Sequence, residues 1–135
     1  MRNILLIVTM MLVAFTSCKK ENIYDKFPPE VLFYANANVE NADFVTTTLA
    51  AGVTDWTVKA RVSAPSQLKE IKLYKKVGTG NEELLETFTD FDLMPNVYNV
   101  NYVVTGITAE TTIRINAIDK DGKPTSRTFL IKVTP

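Results

Sequence analysis

From Glu30 to the end of the chain, apolar and polar residues alternate with the period of two that marks strands buried on one face. Val31, Phe33, Ala35 and Ala37 share one side of a first predicted strand. Trp56, Val58, Ala60 and Val62 alternate with Thr57, Lys59, Arg61 and Ser63, and Ile71, Leu73 and Val77 are set against Lys72, Tyr74 and Lys76. Leu84 to Phe88 reads as a shorter, less regular strand. Tyr98, Val100, Tyr102 and Val104 oppose Asn99, Asn101 and Val103; Ile113, Ile115 and Ala117 oppose Arg114 and Asn116; Phe129, Ile131 and Val133 oppose Leu130 and Lys132. All five glycines and all six prolines fall outside these alternating cores, where turns belong. Between Val39 and Ala51 a helical spacing (Val39, Ala42, Val45, Leu49) competes with the β-branched run Thr46-Thr47-Thr48, which favours a short edge strand. Seven to eight short antiparallel strands without a clear helix predict an all-β fold of two packed sheets.

The first residues follow another pattern. A short positive start, Met1-Arg2-Asn3, precedes a 12-residue stretch from Ile4 to Phe15 interrupted only by Thr9. As a helix it extends about 18 Å, against about 30 Å of bilayer hydrocarbon. It is too short to span and reads as the apolar part of an export signal over residues 1–17. Phe15-Thr16-Ser17-Cys18 resembles a bacterial lipobox. The resemblance implies cleavage before Cys18, diacylation of its sulfur and acylation of the new amino group with palmitate-type chains. Each buried CH₂ is worth about 0.8 kcal/mol, so two or more chains hold a protein durably on a membrane. The outer membrane is the expected host, its periplasmic and surface sides left open. Residues 18–29, with Lys19, Lys20 and the pair Pro28-Pro29, read as a solvated tether, and residues 30–135 as one domain.

Composition narrows the chemistry. The 135 residues contain 15 Lys+Arg, 15 Asp+Glu, one Cys and no His. Without histidine, Ser-His-Asp, Cys-His and His-ligated zinc sites are excluded. Removing residues 1–17 leaves 118 residues with 14 basic and 15 acidic side chains, a balance that argues against nucleic acid as partner. A lone cysteine forms no disulfide within the chain, so stability rests on the core.

The segment from Ile115 to Ser126, followed by a terminal strand, resembles the F strand, F–G turn and G strand of immunoglobulin-like and fibronectin type III-like bacterial domains. Leu68 to Tyr74 takes the third-strand position. With the lipobox, the chain resembles a single-domain immunoglobulin-like envelope lipoprotein of the Bacteroides type. It departs from antibody domains: there is no Cys-Trp-Cys pattern, Trp56 lies on the second strand, and Ile113 stands where a corner tyrosine would sit.

Candidate sites follow. Asp119-Lys120-Asp121-Gly122 resembles the opening of a calcium loop, but the twelfth position is Leu130 where a bidentate Glu is needed, so Asp119 and Asp121 read as a hairpin turn. Lys69, Lys72, Lys75 and Lys76 face Glu82, Glu83 and Glu86 across a predicted hairpin, which reads as charge matching. Glu82, Glu83, Asp90 and Asp92 are read as solubilising, and no catalytic residue is assigned. Phe91, Leu93 and Met94 put three large apolar residues into a predicted loop, either capping the sandwich or forming a contact patch. Tyr74, projecting among lysines, joins them as a binding candidate, and Trp56 is assigned to the core. The expected function is a non-enzymatic, lipid-anchored binding or accessory module without cofactor, its partner a protein or a carbohydrate. The alternative is a purely structural envelope spacer without a soluble ligand.

Overall fold

The computed structural model describes residues 27–35 and 44–135, and the alternating segments form eight strands. They are β1 (Glu30–Phe33), β2 (Thr46–Leu49), β3 (Trp56–Ser63), β4 (Leu68–Val77), β5 (Glu83–Phe88), β6 (Val97–Val104), β7 (Thr111–Asp119) and β8 (Pro124–Val133). One sheet has the order β1-β3-β6 and the other β2-β8-β7-β4-β5. This is an immunoglobulin-like sandwich, with β1, β3 and β6 as strands A, B and E and β8, β7, β4 and β5 as G, F, C and C′. The segments matched to strands C, F and G take those places.

Alternation explains the packing. Val58, Ala60 and Val62 of β3 and Val100 and Val104 of β6 are buried, and they face Ile71 and Leu73 of β4, Ile113, Ile115 and Ala117 of β7, and Phe129 and Ile131 of β8. Their polar neighbours point outward, as a sheet with one wet face requires. Pro124 occupies the first position of β8, where a missing N–H is tolerated.

Two expectations are corrected. The pairing is not wholly antiparallel: β2 runs parallel to β8, from Thr46↔Leu130 to Leu49↔Val133. β1 and β2 run in the same direction on opposite sheets, so β2 meets β8 without a hairpin reversal. The first strand ends at Phe33; Ala35 sits in an exposed bend, and Ala37 lies outside the described residues. The irregularity expected of β5 has a specific origin. Its pairing with β4 slips between Leu73 and Tyr74, passing from Leu73↔Glu86 to Tyr74↔Leu84 and leaving Leu85 as the extra residue. Such a bulge also blunts an edge strand against pairing with other chains.

Candidate functional site

Strand register sorts the loops onto two ends. Glu30 pairs with Ser63, Ser63 with Val97, Leu68 with Asp119, and Ile118 with Pro124. The β3–β4 loop, the β5–β6 loop and the β7–β8 turn therefore share one end, and the chain arrives at β1 there too. Phe27, Pro28 and Pro29 border a cavity of about 590 Å³ with Pro65 and Thr125. Arg127 fixes β1 in place by donating to the Val31 carbonyl at 2.7 Å.

The β5–β6 loop divides its three apolar residues. Phe91 does not belong to a contact patch: it is 7% exposed and its ring meets Tyr98 edge-on at 5.3 Å. Leu93 is 98% and Met94 60% exposed. The loop is held on its C-terminal side, since the Asn96 amide donates to the Ala64 and Pro65 carbonyls at 2.9 Å and the Leu68 N–H donates to the Pro95 carbonyl at 2.6 Å. With Phe91 fixed inside and Asn96 clamped, the two residues at the tip cannot both fold back onto the core.

Asp119 and Asp121 sit in a tight turn. The Gly122 N–H donates to the Asp119 carbonyl at 3.0 Å, and Gly122 adopts a φ of 81°, the left-handed residue that this hairpin requires. Asp119 is fully buried, and its Oδ1 accepts the Lys123 N–H at 2.7 Å. Asp121 lies 3.3 Å from Lys123 Nζ. Among the described residues no group of three or more His, Cys, Asp or Glu side chains converges as a metal site. Gln67 of the β3–β4 loop has a φ of 67° and accepts the Lys120 ammonium at 2.7 Å, joining that loop to the turn.

Tyr74 is not a free stacking platform, because the Arg114 guanidinium lies 4.1 Å above its ring. Arg114 also makes a two-pronged contact with Glu82, from Nε at 2.8 Å and Nη2 at 2.6 Å. The expected lysine–glutamate matching across β4 and β5 is partial. Lys75 meets Glu83 at 3.5 Å, whereas Lys72 turns to Glu70 on its own strand at 2.8 Å and Glu82 is taken by β7. Alternation placed Arg114 on the outer face of β7, but nothing local to it named a partner 32 positions away.

The Arg114 hydrogen bonds hold the Glu82 carboxyl below the usual carboxylate range. A depressed folded-state pKa contributes stability that is present above the unfolded value, about 4.3, and is lost as pH falls through the folded value. Glu82→Gln is expected to cost about 0.5–1 kcal/mol at pH 7, the range for an exposed pair of good geometry. Thermal melts of the two proteins should converge as the pH is lowered below about 4; a gap that persists or widens in acid would show that the carboxylate is not the source.

The opposite end has an open cleft of about 450 Å³. Its wall contains Tyr34, Phe44 and Trp56, with Thr47, Asp55 and Lys59 among the polar groups around them. Tyr34 follows β1, Phe44 precedes β2 and Asp55 precedes β3, so the cleft forms where the chain leaves one sheet for the other. Trp56 is half-buried and stacks on Phe129, with centroids 4.7 Å apart and planes at 11°. Its assignment to the core is thus half of its role, since its remaining surface faces the cleft. Sequence reasoning missed this cleft because Tyr34 and Phe44 flank a stretch whose strand and helix periodicities compete.

No family model matches the chain, and no curated protein matches it. Among solved structures, a superoxide reductase (neelaredoxin) from Ignicoccus hospitalis is similar over 84% of this chain and 87% of that one, with a TM-score of 0.53 at 12% identity. Murine CRIg is matched over 78% of this chain and 95% of that one, with a TM-score of 0.41 at 8% identity. The first likeness is one of fold alone.

Proposed function

We propose that this protein is a lipid-anchored, non-enzymatic immunoglobulin-like module of the bacterial envelope, held through Cys18, whose Trp56 cleft receives a glycan. Cys18 lies outside the described residues; support for the anchor is the 12-residue apolar stretch ending in Thr16-Ser17 before the chain's one thiol. The observation that carries the binding reading is the cleft, with three aromatic side chains set among a carboxylate, an ammonium and hydroxyl groups. Aromatic walls cover the CH face of a pyranose, and the few polar groups orient its hydroxyls. Support for a non-catalytic role comes from the missing histidine and from the engagement of Glu82 with Arg114 and Glu83 with Lys75.

Trp56 is the chain's only tryptophan, so its emission reports the cleft directly. Titration with maltoheptaose, cellohexaose or an acidic oligosaccharide is expected to change that emission saturably. Tyr34→Ala should weaken binding at least tenfold, about 1.4 kcal/mol, without a matching loss of thermal stability. No saturable change with any of these sugars would remove the glycan reading and leave the structural spacer.

A further inference from the structure

We infer that the end carrying Leu93, Met94 and Phe27 rests on the lipid surface, so that the Trp56 cleft faces away from the membrane. The inference rests on the Cys18 anchor proposed above. It starts from where the chain arrives: β1 begins beside Ser63 and the β3–β4 loop, on the same end as the β5–β6 loop. Eight residues, or nine Cα–Cα steps, separate Cys18 from Phe27. Such a leash reaches about 30 Å when fully extended and about 15–18 Å as a flexible coil. An eight-residue strand such as β3 is itself about 27 Å long. Acyl chains on Cys18 therefore hold the loop-bearing end close to the bilayer and leave the cleft about one strand length farther out.

The side chains at that end suit shallow insertion. Leu93 and Met94 are the two most exposed large apolar residues among those described, and Phe27 is 55% exposed at the same end. The clamps at Asn96 and Pro95 present the tip as a fixed projection, so little conformational freedom is lost when it enters a headgroup layer. Exposed apolar side chains on a surface held next to lipid are removed from water by sinking into the headgroup boundary. The charges at this end are mixed: Lys69, Lys120, Lys123 and Arg127 accompany Glu30, Asp90, Asp92 and Asp121. Contact is consequently apolar in origin and insensitive to the anionic lipid content.

The test uses the full acylated protein in vesicles of phosphatidylethanolamine with phosphatidylglycerol at two contents. Because the Cys18 thiol is alkylated, Leu93→Cys or Met94→Cys supplies a single site for a nitroxide label, and Val53→Cys and Val103→Cys, at the cleft end, supply the comparison. The ratio of oxygen to aqueous-nickel collision rates should be several-fold higher at 93 and 94 than at 53 and 103, at both lipid contents. Equal ratios in protein that floats with the vesicles would overturn the orientation while leaving the anchor standing. Labels at 93 and 94 that stay aqueous on vesicles but are immobilised by envelope extract would overturn it in favour of a protein partner. Protein that does not float at all would defeat the anchor itself and the orientation with it.

Discussion

Phe129→Ala is expected to lower stability by about 3–5 kcal/mol, the range for truncating a large aromatic side chain inside a packed core. The ring is 1% exposed and meets three others: Phe33 at 5.1 Å, Phe44 at 4.9 Å and Trp56 at 4.7 Å. It joins β1 of one sheet, β3 of the same sheet and the residue leading into β2, so its loss opens a cavity that no single neighbour refills. Domains of this size have about 5–15 kcal/mol in total, and each kcal/mol moves the midpoint by about 4–8 °C. The melting temperature should fall by about 15 °C or more. Trp56 emission should also shift to the red in the surviving native state as water reaches the exposed indole face. A shift of only a few degrees would mean that the aromatic cluster is peripheral. Because Phe44 and Trp56 also line the cleft, this variant should lose whatever the cleft binds; Tyr34→Ala therefore remains the informative change for binding.

How far such residues are legible in advance depends on whether their environment is local. Trp56–Ser63 and Val97–Val104 match the alternation because each strand's inner face is an every-second-residue set, visible without knowing the partner strand. Phe91 and Ile107 are buried although they lie in loops. Each closes one end of the sandwich; Phe91 stood out in the sequence as one of three apolar loop residues with capping as one of its two readings, whereas Ile107 stands alone in a loop with no period to announce it. The parallel pairing of β2 was hidden for a similar reason, since it depends on a sheet-to-sheet crossing rather than on turn chemistry. Leu93 and Met94 were visible as an apolar run, but their separation from Phe91 is set by the Asn96 clamp onto Ala64 and Pro65, a contact made 31 and 32 positions away. The Trp56 cleft was least legible of all, because it is assembled from Tyr34, Phe44 and Asp55, residues adjoining three strand ends.

The same logic explains why the two ends differ in kind. The chain's arrival, the Leu93–Met94 tip and the Gln67–Lys120 link are on one end; the aromatic cleft is on the other. A tether at the loop-bearing end and a receptive surface at the other would let one small sandwich hold a ligand away from the bilayer with no moving part.

The proposed anchor rests on Cys18. Cys18→Ser is expected to abolish fatty-acid labelling and to shift the protein from the membrane to the soluble fraction. The size of the effect follows from chain length: two or more acyl chains bind durably, whereas the Leu93–Met94 tip alone gives at most reversible contact. The folded domain should be unaffected, with an unchanged melting temperature, since the core of the sandwich is built from residues 31–131. The most direct measurement is the intact mass of the wild-type protein extracted from membranes. The predicted result is a chain of 118 residues starting at Cys18, heavier than its sequence mass by a diacylglyceryl group and an amide-linked acyl chain. A chain starting elsewhere, or one with an unmodified Cys18 thiol, would contradict the account.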